Sequence, residues 1–195
     1  MAYRHYETEG LIVGHRNLGE ANRLYQILTA DFGLINVLAQ GVRRDRSKLR
    51  YHLQNFSFAH LVLVRGREFW RLVGASELES LKLLPKEALI LLKKITLVVQ
   101  RLVQGEDPHS FIYQDLKQAS LLLIESDQQS AQKLANLEIF ILARFLAQLG
   151  YLAPSTETKE LLASPGFSWV EIGQMENFRS TLIKQINQAL VMTQL

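Results

Sequence analysis

The sequence contains no cysteine. Disulfides, thiolate metal centres and cysteine nucleophiles are therefore excluded, and the composition suits a reducing compartment. No strand–GxGxxG–helix pattern and no GxxxxGK(S/T) loop occurs, so neither common nucleotide-phosphate cradle is present. No GxSxG elbow is found. The histidines His5, His15, His52, His60 and His109 include no pair at helical i, i+4 spacing. Zinc would thus need distant ligands. His5 with Glu7 and Glu9 reads as a polar N-terminal segment, not as a metal site. The most apolar stretch, Leu134 to Leu149, is interrupted by Glu138, Arg144 and Gln148 and is too short to span a bilayer. The start, Met1 to Gly10, is too polar for a secretory signal. The expectation is a cytoplasmic, non-enzymatic protein with no membrane segment, metal or cofactor.

What the sequence has is a localised positive charge. Residues 1–80 hold 11 Lys/Arg against 8 Asp/Glu, while the remainder holds equal numbers of each, so the whole excess of +3 lies in the N-terminal part. Arg43, Arg44, Arg46, Lys48 and Arg50 fall within ten residues of one another. A basic cluster on a nearly neutral chain points to a docking surface, not to polycation behaviour.

Two periodicities divide the chain. Up to about Leu78 the apolar residues alternate. Ile35, Val37 and Ala39 share a face opposite Asn36 and Gln40. Phe56, Phe58, Val62 and Val64 share a face across Gln54 to Arg65, and Phe69, Arg71 and Val73 alternate with Trp70 and Leu72. Five strands are predicted, at about 7–16, 21–30, 34–42, 56–65 and 68–76, with breaks at Gly19, Gly33, Gly41 and Gly66. So many strands in so short a segment suggest a closed barrel, which leaves no exposed edges. From Pro85 the period becomes helical. Helices are predicted from Pro85 to Gly105, from Pro108 to Ser126, from Ser130 to Leu149, near Glu157–Ala163 and over Met175–Val191. The third is apolar nearly all round, as in the buried centre of a bundle. The expected organisation is α+β, with a five-stranded barrel over 1–80 and an all-α domain over 81–195.

The run from Gly41 to Arg50 lies between two predicted strands. Burying five clustered cations is costly, so they stay solvated unless a polyanion arrives. Phosphate fits them, because guanidinium pairs with it bidentately and each neutralised phosphate releases counterions. Arg16, Arg23, Arg65, Arg67 and Arg71 lie nearby and extend the field. Tyr51 is the expected stacking group. Tyr25, Phe56, Phe58, Phe69 and Trp70 are more often core than stackers. Charge and pattern alone leave open a DNA-binding protein, an RNA-binding module, or a scaffold docking on an acidic partner.

The segment Leu18-Gly19-Glu20-Ala21-Asn22-Arg23-Leu24 resembles the RecO family of recombination mediators. Leu28-Thr29, Gly33, Ala39-Gln40-Gly41-Val42-Arg43-Arg44, Ser47, Leu53, Phe56 and Glu77-Leu78 follow in the family's order, and Phe140 to Pro154 is similar to the family's helix ending in LGYxP. The resemblance implies an OB-fold barrel followed by a helical domain. It implies binding of single- and double-stranded DNA, annealing of complementary strands, and partnership with RecR and single-strand-binding protein so that RecA loads. Many members carry a four-cysteine zinc site after that helix, which this sequence lacks. Gln40 stands in place of the usual lysine. An acidic partner tail with a hydrophobic end would need a basic-rimmed apolar groove. Lys93, Lys94, Arg101, Lys117 and Arg144 are the expected rim.

Overall fold

A computed structural model describes residues 4–81, 84–103, 105–125 and 130–192. Five strands come first: β1 (His5–Leu18), β2 (Asn22–Thr29), β3 (Gly33–Ala39), β4 (Ser57–Arg65) and β5 (Trp70–Ser80), with a one-turn helix, α1 (Leu49–His52), between β3 and β4. The pairing order is β1-β2-β3-β5-β4, and β4 pairs back onto β1, closing a barrel. All pairs are antiparallel except β3 with β5. Closure depends on the length of β1. Its first half pairs with β4 (His5↔Val64 to Leu11↔Phe58), and its second half pairs with β2 (Gly10↔Thr29 to Leu18↔Asn22). Gly10 sits in both ladders. A Cβ there would lie 2.6 Å from Ile27 Cγ2 and 3.3 Å from the Leu28 carbonyl oxygen, so only glycine permits the crossing.

The barrel core contains Ile12, Tyr25, Ile27, Ile35, Val37, Ala39, Val42, Leu53, Ala59, Leu61, Leu63 and Trp70. The alternation expected in β3 holds, with Ile35, Val37 and Ala39 buried and Asn36 and Gln40 exposed. In β4 the residues expected to share a face, Phe58, Val62 and Val64, alternate with the core residues. Ala59, Leu61 and Leu63 belong to the core, whereas Phe58 packs edge-on against Tyr113 and Val62 is half-buried. Both faces of this strand are covered, so its apolar run carries no usable alternation. The register against β5 also shifts at Phe58/Ala59 and at Val62/Leu63. Phe56 precedes the strand, at φ +60°.

The chain divides into two compact units: Met1–Leu83 with Val103–Tyr113, and Leu84–Leu102 with Gln114–Leu195. The segment 103–113 joins the barrel for specific reasons. Glu106 accepts a hydrogen bond from Trp70 Nε1 (3.0 Å) and pairs with Arg65 (2.8 Å), and Tyr113 Oη donates to Glu9 (2.9 Å). Burial and the adjacent Glu9 carboxylate push the Tyr113 hydroxyl well above the ordinary tyrosine value, so it stays a donor.

The helices are α2 (Lys86–Leu102), α3 (Ser110–Glu125), α4 (Ala131–Gln148), α5 (Thr156–Ala163), α6 (Trp169–Gln174) and α7 (Arg179–Met192), with a 3-10 turn over Met175–Phe178. The expected end of the second helix at Ser126 lies outside the described residues. In the helical unit α4 is central. It packs on α2, α5, α6 and α7 and buries Leu134, Leu137, Phe140, Ile141, Phe145 and Leu146. Serines start three helices. Ser130, Ser155 and Ser168 accept hydrogen bonds from Lys133 N, Thr158 N and Val170 N.

Helix α6 is additional to the predicted elements. Its capping box joins the Ser168 backbone N–H to Glu171 Oε2 at 2.7 Å. The Ser168 hydroxyl, with backbone N–H groups, holds the Glu171 carboxyl below the ordinary glutamate value. A carboxyl lowered in the folded state contributes stability above its unfolded pKa, about 4.3, and loses it as pH falls through the lowered value. Ser168→Ala is expected to return the Glu171 titration, followed by NMR, towards the ordinary value. An unchanged titration would contradict this cap.

Candidate nucleic-acid interface

The register places three connections at one end of the barrel. Leu18 pairs with Asn22, Arg23 with Ala39, Val37 with Trp70, and Arg65 with Trp70. The β1–β2 turn, the end of β3 and the β4–β5 hairpin are therefore neighbours. The basic run leaves β3 at this end.

The run is tied to the β1–β2 turn at its start. Gly41 N donates to Asn22 Oδ1 (2.9 Å), Arg43 N to the Ala21 carbonyl (3.0 Å) and Arg43 Nη1 to the Gly19 carbonyl (2.8 Å). Successive turns follow, Arg44 N to Gly41 O (3.1 Å) and Ser47 N to Arg44 O (2.9 Å). Val42 and Leu53 are buried in the core and fix both ends. The two stretches that carry the sequence resemblance, Leu18–Leu24 and Ala39–Ser47, are thus one hydrogen-bonded unit.

The cations differ in their freedom. Arg43, Arg44, Arg46 and Lys48 are exposed. Among the described residues, Arg44 and Arg46 have no ion pair or side-chain hydrogen bond, whereas one Arg43 nitrogen is committed to the turn. Arg50 is half-buried. It donates to Tyr51 Oη (2.8 Å), lies 4.9 Å from that ring centre and reaches Asp45 at 3.9 Å. Such an exposed ion pair contributes little. Tyr51 is 57% exposed, as a stacking group must be. Arg16 is exposed, and half-buried Arg23 makes a long contact to Asn17 Oδ1 (3.4 Å). Tyr25, Phe58 and Trp70 are buried and do not face solvent.

Beside this loop lies a groove of about 760 Å³, lined by Leu18, Leu38, Val64 and the hairpin from Arg65 to Phe69, with Arg71. Sequence reading places Arg65, Arg67 and Arg71 in the general field. It does not assemble a groove, because Leu18 and Leu38 arrive from other strands.

In the helical unit, Lys93, Lys94 and Arg101 lie exposed along α2. Lys94 reaches Glu138 at 3.8 Å. Ile90 and Leu97, 47% and 48% exposed, lie on the same face and were not anticipated. Lys117 is half-buried. Arg144 is corrected. It is 2% exposed, and its Nε and Nη2 each lie 2.8 Å from an Asp115 carboxylate oxygen, so it is no rim residue. Burial pushes the Asp115 carboxyl up, and Arg144 opposes that rise.

Among the described residues no cluster of three His, Cys, Asp or Glu side chains can hold a metal ion. No helix among them is long and apolar enough to cross a membrane.

Residues 1–81 match the family model described as recombination protein O N terminal. The chain is 40% identical over 75 residues to the DNA repair protein RecO of Gloeothece citriformis, which covers 38% of this chain and 26% of that protein. It is 36% identical over 75 residues to the DNA repair protein RecO of Dehalococcoides mccartyi, covering 38% and 30%. A third match, to the DNA repair protein RecO of Rubrobacter xylanophilus, is 34% identical over 77 residues and covers 40% and 31%. The matched stretch spans between about a quarter and a third of these relatives.

Proposed function

We propose that the chain, whose residues 1–81 match the family model described as recombination protein O N terminal, is a DNA repair and homologous recombination mediator. It binds single- and double-stranded DNA, anneals complementary strands and helps load recombinase onto DNA coated with single-strand-binding protein. The barrel is of OB type and carries the DNA, and the helical part carries partners. The reading rests above all on one observation: Arg44 and Arg46 stand exposed, without an ion pair or side-chain hydrogen bond among the described residues, on a loop fixed by the Gly41–Asn22 and Arg43–Gly19 hydrogen bonds. Arg43, Lys48 and Arg50 support them, Arg16 and Arg23 extend the field, and Tyr51 offers a stacking face.

Annealing on such a surface needs no covalent step. Cations lower the repulsion between two strands and raise their local concentration. Lys93, Lys94 and Arg101, with Ile90 and Leu97 on the same face, suit an acidic tail with an apolar end, the chemistry of single-strand-binding protein. RecR is the second partner, and RecA benefits indirectly.

The test is annealing of complementary oligonucleotides, with and without single-strand-binding protein. The protein is expected to accelerate annealing in both cases. Failure of the wild-type chain to bind or anneal DNA would overturn this function. A clear preference for RNA over matched DNA would favour an RNA-binding module instead.

A further inference from the structure

At the centre of the basic loop stands a hydroxyl with no structural task. Ser47 is half-exposed, and among the described residues its side chain makes no hydrogen bond. We propose that Ser47 is a phosphoryl-acceptor site for a serine kinase of the class that selects arginines ahead of its acceptor, and that phosphorylation there switches the loop off DNA. The second half rests on the nucleic-acid reading above, and the first half does not.

Three features carry it. First, the flanking charge singles out this residue. A kinase chooses its acceptor partly by the charges around it. Arg43 and Arg44 precede Ser47 by four and three positions, and Arg46 is its neighbour. No other serine or threonine of the sequence has an arginine three positions before it. Thr96 and Ser120 have a lysine there, Lys93 and Lys117. Both are buried in helices, and their hydroxyls donate to the Leu92 and Leu116 carbonyls at 2.7 and 2.8 Å.

Second, Ser47 can be presented to a cleft that takes an extended segment. Two backbone bonds fold this part of the loop, Arg44 N to Gly41 O (3.1 Å) and Ser47 N to Arg44 O (2.9 Å). No side chain from Arg43 to Lys48 is buried, so these turns open locally at low cost. Val42 and Leu53, both buried, hold the two ends while the middle extends.

Third, the product acts on the same cations that DNA would use. Ser47 Oγ attacks the γ-phosphorus of ATP. The Oγ–P bond forms as the bond to the β,γ-bridging oxygen breaks, ADP leaves, and the hydroxyl proton passes to the base of the kinase. Residues 43–50 hold five cations and Asp45, a net charge of 5 − 1 = +4. A phosphoserine adds about −1.5 to −2 at neutral pH. Its oxygens are offered to Arg44 and Arg46, which have no ion pair among the described residues. Guanidinium pairs with phosphate bidentately, whichever chain the phosphate belongs to. One modification thus lowers the charge and occupies the two freest ligands.

The test treats the full chain with ATP and the catalytic domain of an arginine-directed serine kinase. Intact mass and peptide mapping locate the product, and fluorescence anisotropy follows duplex binding. One phosphoryl group is expected, on Ser47, and none there in Ser47→Ala. Arg44→Ala should slow its addition about tenfold. The phosphorylated chain should bind duplex about tenfold more weakly at low salt, with a slope against log salt shallower by about 1.4 to 1.8. Phosphatase should restore both. Ser47→Ala should bind within about twofold of wild type, before and after the kinase step. A kinase that modifies a free peptide of residues 40–53 but not the folded chain, or that modifies another residue instead, overturns the site. A phosphoryl group on Ser47 with DNA affinity and slope unchanged overturns the switch. A chain that takes the group on Ser47 and binds no DNA in either state overturns the function proposed above and leaves the acceptor site standing.

Discussion

Asp115→Ala is expected to destabilise the helical unit by about 3–5 kcal/mol. The reason is what the substitution leaves behind. Arg144 lies between the Phe140 and Phe167 rings, at 5.6 and 5.4 Å, and its only other side-chain hydrogen bond among the described residues is a long one to Ser164 Oγ (3.4 Å). Without Asp115 a guanidinium that cannot be deprotonated is buried without its counter-charge. A loss of this size is a large part of the roughly 5–15 kcal/mol that stabilises a typical domain. The buried pair is not itself a large net gain, because desolvating two charges offsets much of their attraction. Replacing both residues, Asp115→Leu with Arg144→Met, should therefore recover most of the loss. Urea unfolding midpoints of wild type, single and double variants decide the matter. A single variant within about 1 kcal/mol of wild type, or a double variant as unstable as the single, would contradict this account.

The same pair shows where sequence reading stops. An arginine on an apolar helix reads as a rim cation, because its counter-charge, Asp115, lies 29 positions earlier on a different helix. Local pattern cannot see such a partner. In β3 it suffices, since Ile35, Val37 and Ala39 turn inward as the alternation demands. In β4 it fails, because Phe58, Leu61, Leu63 and Val64 are all buried and every face looks like the core. Glu106 reads as part of a helix connection and Tyr113 as part of the helix after it, but they bind residues 36 and 104 positions away. Helix α6 was legible in principle: Ser168 and Glu171 spell a capping box, masked by the Pro165-Gly166 break just before it.

The candidate interface divides in the same way. The basic loop is contiguous in sequence, so its charge was visible there. Its anchoring was not, since Gly19, Ala21 and Asn22 lie about twenty positions upstream. The groove was invisible because it is built from residues of β1, β3, β4 and β5.

Arg43→Ala, Arg44→Ala and Arg46→Ala combined are expected to weaken DNA binding at least tenfold at low salt and to flatten its salt dependence. Each phosphate neutralised contributes about 0.9 to the slope of log affinity against log salt on a duplex, and about 0.7 on a single strand. Arg44 and Arg46 are free to contribute fully, whereas Arg43 has one nitrogen held by the Gly19 carbonyl. The expected flattening on a duplex therefore lies between about two and three such contributions. Stability should change little, because all three side chains are exposed and the backbone bonds that shape the turn remain.

The central claim, that this loop is where DNA phosphate is bound, is tested most directly by duplex affinity measured across a salt series for wild type and this triple variant. A slope shallower by about 1.8 to 2.7 is expected in the variant, with the two affinities converging as salt rises. Equal slopes and equal affinities, in a variant that unfolds at the wild-type temperature, would contradict it.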